Sequence, residues 1–221
     1  MAARLKKSPA AARRTQEVRS ATSRQRLLTA AAAEFAARGF AGASVDRIAR
    51  AAHVNKAMIY YHFASKAALY REILRDMFEA VAGRVAAAAG AAATPEDKVR
   101  AFVDAIATEA EARPHFPPIW FREIAEGGAH VDPATLASIA AVVKSLRHIL
   151  HEGRAAGRFR QVDPLLVHAG IVGPILLYFA SAPLRGRLQR GGVPGASTAS
   201  RDDVVAHVQR VALMAVEGRT V

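Results

Sequence analysis

The chain contains no cysteine. That excludes disulfides, thiolate zinc sites and cysteine nucleophiles together, and it fits a reducing cytoplasm. The stretch from Met1 to Ser20 has no apolar run long enough for the core of a secretory signal. Catalytic signatures are also missing: there is no G-x-S-x-G elbow, Walker loop, dinucleotide-binding glycine motif or H-E-x-x-H zinc helix. No internal repeat recurs, and no alternating strand pattern competes with helical spacing. A single uncharged apolar stretch, Leu165 to Ala182, reaches the lower limit of membrane-spanning length, but it carries His168, Gly170, Gly173 and Pro174. A helix that is apolar all round is ordinarily buried by packing on two sides, so no membrane span is expected.

Acidic residues are scarce at one end. Residues 1–70 hold 13 Lys and Arg against only Glu17, Glu34 and Asp46, a net +10 of the chain's +12. The remaining two-thirds is nearly neutral. A cationic end on a neutral, apolar body points to a polyanion partner at that end. A membrane surface would satisfy the same charge. With 221 residues, 52% of them apolar, the chain can form a small binding unit and a larger domain with its own core.

Helical spacing fills the sequence. Residues 1–22 read as a disordered basic arm, rich in Arg, Lys, Ala, Ser and Thr. Leu28, Ala31, Ala32 and Phe35 then recur on one helix face, which Gly39 stops. Ser44 can cap a short helix carrying Val45, Ile48, Ala49 and Ala52, and Asn55 can cap a third with Met58, Ile59 and Phe63 inward. Ser65 can cap a long fourth through Leu69, Ile73, Leu74, Met77, Phe78 and Val81. Further on, Thr94-Pro95, Asp132-Pro133 and Asp163-Pro164 each place a capping side chain before a proline at the first helical position. Pro114, Pro117 and Pro118 break the pattern, Gly127-Gly128 and Gly157 end helices, and Arg185 to Ser200 reads as a basic, Gly-rich mobile loop before a last helix, Arg201 to Glu217. The expected fold is all-α with about nine helices: an N-terminal three-helix domain over 23–70 and a larger helical domain over 71–221.

Two short helices joined by a tight turn form a helix-turn-helix pattern, in which the second helix anchors by one face and offers the other to a DNA groove. Here Val54, Ile59 and Phe63 can anchor. Asn55, Lys56, Ala57, Tyr60, Tyr61 and His62 are left to face outward, supplying hydrogen-bonding groups and a small residue for close approach. The tract from Ala33-Glu34-Phe35 through Gly39-Phe40, Ser44 to Ala49, Val54, Ile59-Tyr60-Tyr61-His62-Phe63 and Ser65 to Tyr70 resembles the DNA-binding domain of the TetR family of transcriptional regulators. His53 stands where the family commonly carries glycine in the turn, so a left-handed histidine is expected there.

The resemblance implies that Ser44, His62 and Lys66 touch phosphates, that Asn55, Lys56 and Ala57 face the major groove, and that Tyr60 and Tyr61 contact backbone or bases. It implies a homodimer on a palindromic operator in double-stranded DNA, with the last two helices of each subunit forming a four-helix interface. It also implies a small-molecule inducer pocket in the middle helices. The residues available for that pocket are Phe102, Ile106, Phe116, Trp120, Phe121, Ile124, Val143, Leu146, Ile171, Ile175 and Tyr178, with Arg122, Glu123, His148 and His168 as polar candidates. A mostly apolar lining suits a hydrophobic inducer. No catalytic residue, cofactor or metal site is expected. His148 and His151 could share a helix face near His115 or Glu152, but surface histidines are the commoner outcome. The alternative to a specific regulator is a non-specific architectural DNA binder without an inducer. Such a protein would spread its charge along the chain and would not need a neutral apolar two-thirds.

Overall fold

The computed structural model describes the backbone of residues 9–217 and the side chains of residues 21–217. It is all-α, with ten helices among the described residues. The chain separates into two compact units, one ending at Ile73 and the other beginning at Leu74.

The first unit contains α1 (Pro9–Gly42), α2 (Val45–Ala51), α3 (Ala57–Phe63) and the start of α4 (Lys66–Ala91). Its core is made by Leu27, Ala31, Phe35, Ile48, Ile59, Leu69 and Tyr70, each 0–1% exposed. The Phe35 and Tyr70 rings pack at 4.6 Å between centroids, and Phe40 lies 5.3 Å from Tyr70. Non-helical backbone at Gly39 (φ 68, ψ 176) interrupts α1 where the sequence places a stop, before a final turn to Gly42. The expected disordered arm is corrected over residues 9–22, which continue α1 back to Pro9. That segment is rich in Ala, Arg, Gln and Glu, all strong helix formers, so a helix anchored by Leu27 onward extends backward at little cost. Residues 1–8 of the expected arm lie outside the described residues.

The second unit takes the rest of α4, then α5 (Pro95–Ala112), α6 (Phe116–Ala125), α7 (Pro133–Ala155), α8 (Pro164–Ala180), α9 (Ala182–Arg190) and α10 (Arg201–Glu217). Helix α5 is its hub, packed against α7, α8 and α10. Val99, Phe102, Val103, Ala105, Ile106, Ala107 and Ala110 are all buried on it. The three capped starts read from sequence are present: Thr94 accepts the Asp97 amide, Asp132 the Thr135 amide, and Asp163 the Leu165 and Leu166 amides, each before a proline.

Helix α9 is the one element beyond the nine expected and corrects the expected loop over Arg185–Ser200. Its Arg185 guanidinium stacks 4.0 Å over the Tyr178 ring and donates to the Tyr178 carbonyl and to the Ser181 hydroxyl. These contacts hold a polar, glycine-containing segment in a helix that propensity alone disfavours; the non-helical stretch is confined to residues 191–200. No single helix among the described residues is long and apolar enough to cross a membrane; α8 and α9 approach the requirement only as a pair bent by 55°.

Buried charges in this unit are paired. Glu96 receives Arg158 at 2.6 Å, and Glu109 receives both Arg84 and Arg113. Asp132 receives the Thr135 amide and Arg75, and these donors hold its carboxyl at a pKa of about 2. Its stabilising contribution is therefore present above the unfolded value and is lost as pH falls toward 2.

Gly153 on α7 meets the Phe159 ring so closely that an added Cβ would lie 2.0 Å from Cδ2. Phe159 is 5% exposed and has no room to retreat without opening the core. Gly153→Ala is expected to destabilise the protein by about 1–3 kcal/mol through overpacking. Chemical denaturation checks this, and an unchanged midpoint would mean that the ring moves freely.

Candidate DNA interface and open cavity

Helix α2 is held by a carboxylate on α1. Glu34 Oε1 accepts the Ser44 amide at 3.1 Å and the Arg47 Nε at 2.7 Å, while Arg38 lies 3.6 Å from its other oxygen. Arg47 also donates to the Gly42 carbonyl at 2.6 Å. Burial pushes the Glu34 carboxyl up, but the Arg47 and Ser44 hydrogen bonds and the charges of Arg47 and Arg38 outweigh it, so the pKa lies below the usual value. Ser44 caps by backbone geometry alone: its φ/ψ are extended, and its amide rather than its hydroxyl meets the clamp.

The turn between α2 and α3 passes through His53 at φ 53, the left-handed conformation expected from sequence. Asn55 Oδ1 accepts the Ala57 amide at 2.9 Å, capping α3. Lys56 Nζ reaches Asp46 of α2 at 2.9 Å, and that acid raises the lysine's pKa, so Lys56 stays cationic. Ile59 and Phe63 are buried against the unit, with Val54 and Met58 half-buried. The opposite face is open: Asn55, Lys56 and Ala57 are exposed, Tyr60 is 50% exposed and Tyr61 is 75% exposed. An exposed aromatic pair on a seven-residue helix is unusual on a surface without a partner.

Two expected phosphate contacts are placed differently. His62 is half-buried, and its Nε2 is enclosed without a hydrogen-bond partner. Burial and nearby Arg24 lower its pKa, favouring neutral imidazole. Lys66 donates to the Phe40 carbonyl at 2.9 Å and the Ala43 carbonyl at 3.2 Å, with its ammonium 4.6 Å over the Phe40 ring. It ties α4 to the end of α1 and retains one of its three hydrogens for another acceptor. Ser65 caps α4 through its hydroxyl, which accepts the Ala68 amide at 3.0 Å.

In the second unit a cavity of about 430 Å³ lies at the α6–α7 connection, lined by Trp120, Glu123, Ile124, Gly127, Gly128, Val131, Leu136 and Ile139. Trp120 packs against Phe78 of α4 at 4.7 Å between centroids. Of the residues expected to line a pocket, Trp120 and Ile124 do so here. Phe102, Ile106, Phe116, Leu146, Ile171 and Ile175 are packed in the core at 0–3% exposure, and Phe121 and Val143 are half-buried. The Tyr178 hydroxyl donates to the Ala199 carbonyl, so this side chain serves the α8–α10 connection. Among the polar candidates, Glu123 is fully buried and lines the cavity. His168 packs edge-on to Phe102, and burial lowers its pKa; Arg122 and His148 are exposed. His148 and His151 are both on the surface, with His148 3.4 Å from Glu152. Sequence spacing missed a different group, Glu123, Glu126 and His130, because Gly127-Gly128 ends the helix between its members.

A second cavity of about 360 Å³ lies between α8 and α10. Leu165, Leu166 and Leu177 of α8 and Val211 and Met214 of α10 are exposed at 46–72%.

Residues 27–73 match the profile described as bacterial regulatory proteins, tetR family, and residues 95–209 match that of the tetracyclin repressor-like C-terminal domain. The chain belongs to the TetR family. It is thus a DNA-binding transcriptional regulator and not an enzyme. It is 31% identical to the HTH-type transcriptional repressor NicS of Pseudomonas putida over 71% of this chain and 74% of that protein. Among solved structures, the TetR-family regulator PfmR of Thermus thermophilus aligns with a TM-score of 0.65 at 26% identity, covering 85% of this chain and 96% of that one. The ketosteroid regulator KstR2 of Mycobacterium tuberculosis aligns with a TM-score of 0.69 at 24% identity, covering 89% and 95%. This likeness shows the fold.

Because the Glu34 clamp works as a charge, Glu34→Gln should cost about 1–3 kcal/mol at neutral pH. The folded pKa is depressed, so the wild-type advantage is full above the unfolded carboxyl value and shrinks as pH falls through the folded one. Denaturation of both proteins at descending pH checks the sign. Parallel stabilities throughout would show that the charge does not hold the clamp.

Proposed function

We propose that this TetR-family regulator is a cytoplasmic, ligand-responsive dimeric repressor that binds a palindromic operator through α3 and releases it when a small hydrophobic molecule enters the α6–α7 cavity. The observation that carries the DNA half is the open face of α3. Its buried residues anchor the helix, while Asn55, Lys56, Ala57, Tyr60 and Tyr61 are left to solvent on a unit of high positive charge. Ala57 permits close approach, the tyrosines offer hydroxyls and apolar ring faces, and Lys56 would exchange Asp46 for a phosphate. Ser44, His62 and Lys66 stand near this face as further phosphate contacts, with His62 requiring a side-chain rearrangement to expose Nε2.

Dimerisation through α8 and α10 accounts for their exposed apolar side chains, which a second copy would cover. A dimer places two recognition helices on half-sites about 34–36 Å apart, one turn of DNA. Repression is the mode named for NicS, and the same mode is proposed here. The inducer reading rests on the size and lining of the α6–α7 cavity, which falls within the range that holds small ligands. A ligand acts only through different affinities for the DNA-binding and non-binding shapes. Helix α4 is the one helix with residues in both units, and its Phe78 touches the cavity-lining Trp120.

Tyr61→Ala and Lys56→Ala should each weaken operator binding by about 1–3 kcal/mol without altering the dimer, and Lys56→Ala should also reduce the salt slope by about one. Fluorescence anisotropy over a salt series reads both. Wild-type affinity in both variants would remove α3 from the groove. Trp120 is the only tryptophan in the chain, so its emission reports on the cavity directly. A compound that releases the operator should change that emission saturably over the same concentrations; release with unchanged emission would place the inducer elsewhere.

A further inference from the structure

Glu123, Glu126 and His130 converge where α6 ends, their nearest ligand atoms all within 4.8 Å of one another. Glu123 is fully buried, yet it lies on the cavity wall. Its Oε1 is 2.9 Å from His130 Nδ1, and its Oε2 accepts the His130 backbone amide at 3.2 Å. Glu126 Oε2 lies 3.8 Å from the same Nδ1, on a side chain that is 46% exposed and free to swing. The arrangement depends on the loop. Gly127 and Gly128 both adopt left-handed backbone, φ 70 and φ 75, which turns the chain within two residues and returns His130 over the helix end. The Gly128 amide donates to the Glu123 carbonyl at 2.7 Å and locks that turn.

We propose that these three residues form a binding site for a divalent first-row transition-metal ion, with Zn²⁺ as the reference occupant. Without an ion, the Nδ1···Oε1 contact is a hydrogen bond that holds one proton between the two atoms. When that proton leaves, an imidazole lone pair and a carboxylate lone pair face each other across 2.9 Å. Two ligands on one tetrahedral ion with metal–ligand bonds of about 2.0–2.2 Å stand roughly 3.3–3.6 Å apart, so the His130 ring and the Glu123 carboxylate would part by about half an ångström as the ion enters. Glu126 completes a three-ligand set by a small side-chain rotation. One imidazole and two carboxylates make a borderline donor set, suited to Zn²⁺, Co²⁺ or Mn²⁺ and lacking the thiolates that select soft ions. The two carboxylates balance the ion's charge, so a metal would relieve the cost of a carboxylate with no exposed surface. Three protein ligands leave at least one coordination position open, as in non-structural zinc sites. The cluster would hold the ion whatever the cavity binds.

The test uses the full chain, purified without a histidine tag and stripped with chelator. Calorimetric titration with Zn²⁺ should show one equivalent bound per chain, with proton release that grows as pH is lowered. Co²⁺ should give the visible absorption of a low-coordinate site and be displaced by Zn²⁺. Glu126→Gln, at a half-exposed position that leaves the fold intact, and His130→Gln should each weaken binding by more than about tenfold, since even residues one shell further out are worth that much. His148→Gln with His151→Gln should leave stoichiometry and affinity unchanged. The proposal is overturned if the wild-type chain takes up no Zn²⁺, or if Glu126→Gln and His130→Gln bind it as the wild type does while the His148/His151 double variant does not.

Discussion

One carboxylate decides where α2, the helix that shares its core with the anchors of the reading helix, begins. Glu34 on α1 takes the amide of Ser44 and the guanidinium of Arg47. It thereby pins both the N-cap of α2 and a side chain within its first turn. The anchors of α3, Ile59 and Phe63, can be buried only if α2 is already seated, because Ile48 and Ala49 share the same small core. The face carrying Tyr60 and Tyr61 follows as the remainder. A small domain with few buried side chains gains orientation from such polar pins more than from apolar area, which is non-directional. Lys66 repeats the device from the other side, tying α4 to the carbonyls at the end of α1.

The second unit uses the same logic on a larger core. Paired carboxylates mark its junctions: buried Glu96 joins the start of α5 to Arg158 beyond α7, buried Glu109 joins α5 to Arg84 of α4, and half-buried Asp132 joins the start of α7 to Arg75 of α4. Glu123 differs because its partner is a histidine on its own loop. That makes the α6–α7 connection the place where a buried carboxylate, an open cavity and a histidine partner coincide. The apolar faces of α8 and α10, by contrast, stay exposed within one chain.

Much of this was legible in the sequence where local chemistry dictates local structure. Thr94, Asp132 and Asp163 before prolines mark helix starts because side-chain capping and a fixed φ act within four residues. The inward and outward faces of α3 followed from spacing, and the left-handed His53 from the resemblance, because the family commonly carries glycine at that turn position. What spacing could not show depends on residues brought together by the fold. The Glu34 clamp spans ten to thirteen residues. The engagement of Lys66 with α1 spans 23 to 26, so a lysine read as free for phosphate is largely occupied. Helix α9 was misread because its support is a stacking contact between Arg185 and Tyr178, which composition does not reveal. Most of the residues expected to line a pocket are apolar at helical spacing, and that pattern does not distinguish a lining from a core.

The central claim is that the exposed face of α3 reads a specific sequence in a two-fold arrangement. Selection of bound duplexes from a random pool, at physiological salt and with excess competitor DNA, tests it most directly. The account predicts enrichment of a palindromic motif whose half-sites are centred about one helical turn apart, or a multiple of it. Recovery of duplexes with no enriched motif, from folded and dimeric protein, would contradict it and leave a non-specific DNA binder.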